Sequence, residues 1–494
     1  MSVAGEPSPS AARTNGSRRG PLIEWLVIGA LASFGFLVVW WVYRPGFMSV
    51  DSVAQLGEAR SGAFTDFHPP ILALIWRYLD KLWPGPIGML ILLDGLFWLG
   101  VAIFFRLLRW PLWARAGALL VAGFQPAVFM LLGTIWKDTM MQAALLAATS
   151  AMLLAGPRLR ARVVGLAIAL PLMFVAIAVR HNGIGAAWPL LAIPFFGVKW
   201  FAEWRRPWQL MAALGVGLVL ALTLRQGSAL LSRKIAEPTE YWQMTPIYDL
   251  VGMSLQVDEM LIDAEDGILS PGVNLARLRR AYDPRDHLRL YHCRGKNCTP
   301  ALLRTNDPAQ LRALRANWQR AVVAHPRAYL AHRWRVFREL LRFEGRRVDL
   351  STGIGRNRLG VPTQRSEAGT FAVELLAHAP NFPFYATWFY VLLESALLVV
   401  GALDFFKRGR PLSLCFSLSG LIYLATFFFA TGAPDFRYSS WTILTTLLAA
   451  CALAGFEGWP EPPGTREFGL KAWRSRLPWR RAARDAEAHS GSSA

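Results

Sequence analysis

The sequence predicts an all-α polytopic membrane protein of about ten transmembrane helices, with a mainly helical domain outside the bilayer. Three observations carry this prediction. Of 494 residues, 54% are hydrophobic and only 17% charged, whereas soluble domains carry about a quarter charged residues. A soluble core stops growing near roughly 250–300 residues, so apolar sequence in this quantity has to face lipid. Finally, basic residues collect in every second loop between the apolar segments, as cytoplasmic loops do.

A helix crosses the hydrocarbon core with about 20 mostly apolar residues. The segments that qualify are 22–43, 85–107, 112–132, 139–155, 163–179, 183–198, 208–224, 383–403, 411–430 and 438–456. Arg13, Arg18 and Arg19 precede the first and place the N-terminus in the cytoplasm. Arg106, Arg109 and Arg115 fall in one inside loop, Arg158, Arg160 and Arg162 in the next, then Lys199, Arg205 and Arg206, then Lys407, Arg408 and Arg410. The net charge of +20 is therefore topological, and nucleic acid is not among the expected partners. The first apolar stretch is longer than a signal-peptide core and no small-residue cleavage site follows it, so it reads as a retained helix. No internal repeat or nucleotide-phosphate motif is present.

The expected organisation is a disordered cytoplasmic N-terminus (1–21), a seven-helix membrane module (22–224) with an outside loop at 44–84, an outside domain (225–382), a three-helix module (383–456) and a basic cytoplasmic tail (457–494). The outside domain carries 24 Lys and Arg against 16 Asp and Glu. Its clearest element is a helix from about Pro308 to Phe343, with Leu311, Leu314, Trp318, Val322 and Tyr329 at helical spacing. The arginine face of that helix (Arg327, Arg333, Arg335, Arg338, Arg342) is either solvated or rests on anionic headgroups. Cys415 and Cys451 fall inside spans as small apolar groups. Cys293 and Cys298, in HCRGKNCTP, suit a short-loop disulfide if that side is oxidising. Their spacing suits zinc less well, although His287 and His292 are near.

Polar residues gather at the outside ends. In the first outside loop Asp51 follows the first span closely, and Asp66 and His68 stand before Pro69-Pro70, which open an amphipathic stretch from Ile71 to Trp83. One carboxylate at a membrane surface suits a general base toward a hydroxyl, and a second suits a metal or an acceptor. The competing account is local: Asp51 or Ser52 caps a helix over VAQLGEA. The third span ends in WKD (Lys137, Asp138), the fifth in RHN (Arg180, His181, Asn182), and the ninth leads into PDFRY (Asp435, Arg437, Tyr438). Interfacial snorkelling explains any one of them; together Lys137, Arg180 and Arg437 would form a phosphate clamp. Asp94 and Glu394 are carboxylates inside spans, which would suit a proton path.

An early Asp in the first outside loop, HPP before an amphipathic helix, and the WKD, RHNG and PDFRY elements resemble the GT-C class of integral membrane glycosyltransferases. The class includes the protein O-mannosyltransferases and the lipid A aminoarabinose transferases. The resemblance implies a GT-C-like fold in the bacterial inner membrane, with cytoplasmic termini and a periplasmic active site. It implies transfer of a sugar from a polyprenyl-phosphate carrier to an envelope glycan, lipid or protein acceptor, with Asp51, Asp66 and His68 catalytic. Lys137, Asp138, Arg180, His181, Asn182, Asp435, Arg437 and Tyr438 would bind substrate or its phosphate. No cofactor is required, with room left for a divalent cation; the partners are donor, acceptor and membrane lipids. The sequence departs from the class in having Ser52 where a second acid is common, and in carrying its outside domain between the seventh and eighth spans. A transporter or flippase is the main rival. An O-antigen ligase or polymerase is another, and would depend on residues such as Arg333 and His325.

Overall fold

The computed structural model describes residues 19–156, 158–196, 198, 204–292, 299–344, 350–377 and 385–456. Most of the expected tails, and both Cys293 and Cys298 of the expected disulfide, lie outside the described residues. The protein is mostly helical, and among the described residues eight helices are long and apolar enough to cross a bilayer, or nine if one bent pair counts as a single span.

Two expected spans are not single helices. The third is split into α5 (Leu112–Gly123) and α6 (Pro126–Leu132), bent by 62°. Pro126 lacks the N–H that would continue the first helix but is favourable at the start of a second. Gln125 caps that second helix, its side-chain oxygen accepting from the Val128 N–H at 2.9 Å. The fourth and fifth spans are unbroken, as α7 (Lys137–Ala155) and α8 (Leu159–Ala178), which pack on each other. The sixth is a pair of short helices, α9 (Gly183–Leu191) and α10 (Ile193–Phe196). Conversely, the seventh segment extends beyond its apolar stretch, as one 30-residue helix, α11 (Arg206–Ile235).

Contacts sort the helix ends onto two faces. On one, Glu24 of α1 (Arg19–Tyr43) pairs at 3.0 Å with Arg106 at the end of α4 (Ile87–Leu107) and with Arg115 at the start of α5. There too the Arg109 N–H donates to the Gly455 carbonyl, at the end of α19 (Ser440–Gly455). On the opposite face α6 ends at Gly133, whose carbonyl accepts from the Phe47 N–H just beyond α1. Gly133 is required here, because a Cβ would collide with the Tyr43 ring. The broken pair thus still runs from face to face. The short pair does likewise: Asn182 before α9 bonds Thr426 near the end of α18 (Leu412–Ala430), and Phe196 of α10 meets Phe405 near the end of α17 (Thr387–Arg408).

A second hydrophobic cluster, separate from that of the bundle, gives the outside region its own core. It gathers Ile247, Leu250 and Val251 of α12 (Met244–Val257), Leu278 of α13 (Leu275–Ala281), Leu314 and Val336. The helix expected over 308–343 is two: α14 (Pro308–Ala324) and α15 (Pro326–Leu341), broken where Pro326 starts the second. Its arginine face is also not uniform, since Arg333 is fully buried while Arg327, Arg335 and Arg338 are exposed. After this core the chain returns through a hairpin, β3 (Gly353–Ile354) with β4 (Gln364–Arg365), and then α16 (Glu367–Ala377), which packs on α1.

The first outside loop is held from both sides. Its helix α2 (Val50–Ser61) packs on the amphipathic α3 (Ile71–Leu82), where Arg60 grips Asp80 with two bonds of 2.9 and 3.0 Å. Strand β1 (Phe64–Thr65) pairs in parallel with β2 (Ala236–Glu237), directly after α11.

Candidate active site at the outer helix ends

Helix α2 starts at Val50, ahead of both expected caps. Ser49 is the N-cap, and Ser52 at the third helical position answers it in a capping box. Asp51 is therefore spared capping and sits in the first turn, where the helix dipole favours a carboxylate. Its Oδ2 meets Arg437 Nη1 at 3.0 Å and its Oδ1 lies 3.9 Å from His68 Nε2, with 32% of the side chain exposed. Burial opposes its charge, but the Arg437 guanidinium, and after it the Lys137 ammonium, bring the carboxyl below its ordinary range.

His68 is buried, and its Nδ1 lies 3.0 Å from Lys137 Nζ. Burial first and the Lys137 ammonium second push this imidazole down to about 3, so it is neutral. A neutral ring beside an ammonium accepts through Nδ1, which leaves the proton on Nε2, facing Asp51. The result is a row: Lys137, His68, Asp51, Arg437.

Arg437 is the hub. Besides Asp51 it faces Asp435 Oδ2 at 3.0 Å and Asp138 Oδ2 at 3.7 Å, and its guanidinium lies over the Trp136 ring at 4.8 Å. Asp435 also caps the short turn after it, accepting from the Arg437 N–H at 3.1 Å, so the local chain fold aims the arginine. Asp138, 2% exposed, takes Arg180 on its other oxygen. The Arg180 guanidinium lies over the rings of Tyr438 (4.7 Å) and Phe427 (5.3 Å), which stack on each other at 4.5 Å. Asn182 accepts from Arg180 Nε at 3.2 Å and donates to Thr426 at 2.9 Å.

Ten of the eleven expected residues thus lie in or next to one cluster, with three cations and three carboxylates, but their positions differ. Lys137, Asp51 and Arg437 reach the partly open side. Asp138 and Arg180 are a buried brace behind them, bonded by the half-buried Asn182. His181 points outward, its Nδ1 3.5 Å from Arg225 Nη2. Asp66 is set apart, because its Oδ1 is occupied by the N–H and hydroxyl of Thr239, both at 2.6 Å. It fastens the end of the β1–β2 pairing, which gives this carboxylate a structural role of its own. No group of three or more His, Cys, Asp or Glu among the described residues is arranged to hold a metal ion; the carboxylates here converge on a guanidinium instead.

No family profile matches the sequence, and no curated protein matches it. Among solved structures the chain is similar to the crystal structure of ArnT from Cupriavidus metallidurans bound to undecaprenyl phosphate. The identity is 15% over 88% of this chain and 78% of that one, with a TM-score of 0.32. A likeness that loose carries no weight for fold or activity, which leaves the chain's own residues to decide both.

Sequence reasoning missed Trp136, whose ring underlies Arg437 and whose Nε1–H donates to the Ser49 cap at 2.7 Å. Its only signal was adjacency to Lys137. Tyr423, which donates to Asp138 at 3.5 Å, gave none from within an apolar span. Arg333, on which the ligase reading depends, is out of a ligand's reach: it is 0% exposed, pairs with Asp249 at 2.7 Å and donates to the Thr431 carbonyl at 2.9 Å. Asp94 and Glu394 are buried in separate settings, Glu394 accepting from Thr445 at 2.6 Å in a notch at Gly420, and neither bonds the outer cluster.

Proposed function

We propose that this chain is a membrane glycosyltransferase of GT-C type, which passes a sugar from a polyprenyl-phosphate carrier to an envelope acceptor at the outer, periplasmic face of the bacterial inner membrane. The observation that carries this reading is the meeting of Asp51 with Arg437 and, through His68, with Lys137 at one end of an apolar helix bundle. A lipid-linked donor keeps its tail among the helices while its phosphate and sugar emerge at that level.

The donor phosphate would take the remaining donors of Lys137 and Arg437. Neither the Arg437 Nη2 group nor the rest of the Lys137 ammonium is bonded to another described residue. Fixed charge of this kind stabilises a departing phosphate without proton transfer to it. The acceptor oxygen then attacks the anomeric carbon, the bond from that carbon to the phosphate oxygen breaks, and its electron pair leaves with the polyprenyl phosphate. The acceptor's hydroxyl proton goes to the Asp51 carboxylate. Arg437 turning toward the phosphate would weaken its hold on Asp51 and so raise the basicity of that carboxylate as the reaction needs it. A single displacement inverts the anomeric centre.

The test is transfer from a radiolabelled polyprenyl-phosphate sugar by the purified full chain and by Asp51→Asn. The reading predicts loss of transfer in the variant with membrane insertion and donor binding retained. Unchanged transfer would sink Asp51 as the base, and failure of the wild-type chain to bind any such donor would sink the transferase itself.

A further inference from the structure

Beside the N-terminus of α2 the hairpin β3–β4 lines an open cleft of about 440 Å³, bounded by Met48, residues 350–355 and residues 363–365. Ligand cavities span about 300–1,000 Å³. Two features show a built wall. The Met48 N–H donates to the Gly353 carbonyl at 3.0 Å, and Arg60 near the far end of α2 donates to the Leu359 carbonyl at 2.5 Å, so the hairpin is fastened along the helix that carries Asp51. Inside the hairpin Asn357 bridges the turn, donating to the Val361 carbonyl at 2.9 Å and accepting from the Leu359 N–H at 3.1 Å. Gly353 is needed for the two strands to close, because a Cβ there would collide with the Gln364 carbonyl.

The chemistry of the wall is specific. Ser351, Thr352, Thr363 and Gln364 bring three hydroxyls and an amide, and none of these side chains bonds another described residue. Among the lining residues the one ionisable side chain is Arg365, which faces Glu374 at 4.0 Å. Met48, Leu350 and Ile354 supply a small apolar floor. Three hydroxyls and an amide around that floor, with the one guanidinium at the rim turned toward Glu374, make the lining mixed rather than wholly cationic or wholly apolar. It matches a neutral polyhydroxylated ligand, whose hydroxyls exchange hydrogen bonds with the rim while C–H faces rest on the floor.

We infer that this cavity binds the glycan portion of the acceptor and delivers one of its hydroxyls toward Asp51, three residues beyond Met48. The inference rests on the transferase reading for the word acceptor, but binding itself does not.

The experiment uses the full chain in nanodiscs, with neutral oligosaccharides (cellotriose and chitotriose) as probes in saturation-transfer NMR and undecaprenyl phosphate in a separate binding assay. Wild type should bind a saccharide. The double variant Thr352→Val/Gln364→Ala should bind it at least ten-fold more weakly. Undecaprenyl phosphate binding should be the same in the wild type and the double variant. Thr363→Ala gives an independent, milder loss if the double variant folds poorly. Absence of saccharide binding to wild type, or equal binding by every cavity variant, overturns the inference. Saccharide binding that survives while undecaprenyl phosphate never binds would keep the cavity assignment and overturn the transferase reading.

Discussion

Asp51 and Arg437 meet at 3.0 Å and so join the first outside loop to the last. The contact sets opposite demands on the two side chains. Arg437 serves Asp51 through Nη1 and Asp435 through Nε, which a planar fork can do and an ammonium cannot. Arg437→Lys is expected to keep the charge and lose the geometry. Its KM for a polyprenyl-phosphate sugar should rise at least ten-fold, measured with purified protein, while the helix content stays unchanged.

Replacing Asp51 by Asn keeps the shape but removes the carboxylate proposed as base. General base catalysis is worth about 10²–10⁴-fold, so turnover should fall by that range, with donor binding within about two-fold of wild type. A rate within five-fold of wild type would remove Asp51 from the chemistry.

The brace behind the site should govern stability rather than selectivity. Removing one partner of a buried ion pair costs about 3–5 kcal/mol. Asp138→Ala leaves the Arg180 charge in place with only ring faces and Asn182 around it, and should lower the unfolding temperature in detergent sharply. The double variant Asp138→Leu/Arg180→Met should recover most of that loss. No recovery would mean that the pair acts through something other than its charges.

Acid should weaken the protein through the same cluster. His68 holds its proton only below about 3, against an ordinary 6.5, so between those values the unfolded chain binds a proton that the folded chain refuses. Its contribution is complete above about 6.5 and is lost as pH falls toward 3. Asp51 titrates below its ordinary 3.8 when folded, so its contribution is present above that value and is lost as pH drops through its folded one. Both therefore act in one direction. Between about pH 6.5 and 3 the unfolding temperature of the wild type should fall more steeply than that of His68→Gln.

Much of the bundle was legible because its signals are additive. Twenty apolar residues count alike wherever they occur, so the segments follow from composition. Breaks were harder to read. Pro126 ends one helix and begins the next, and a hydropathy average sees neither. In the candidate site the charged motifs were legible one by one, since charge at a membrane surface is costly enough to stand out. Their roles were not, because a role depends on the partner. Arg333 reads as one of five arginines on a solvated or headgroup-facing side until Asp249 appears opposite it, and nothing in the sequence pairs Asp66 with Thr239.

Arg333 gives one further expectation. Its Nη1 holds the Thr431 carbonyl, and the His287 N–H holds that of Gly432, so the outside core grips the segment leading to Asp435 and Arg437 from two points. Arg333→Ala should raise amide hydrogen exchange across residues 431–437 before any other part of the bundle loosens. Equal exchange in variant and wild type would show that His287 alone suffices.

The parallel ladder between Phe64–Thr65 and Ala236–Glu237 has a consequence for biogenesis. As the ribosome feeds the chain into the membrane, the stretch bearing Asp51 waits for its strand partner until the long helix Arg206–Ile235 has inserted, and for its guanidinium until the penultimate crossing is made. Synthesis arrested before that point would leave the loop unclosed at the membrane surface with Asp51 unpaired, where quality-control proteases could recognise and destroy it.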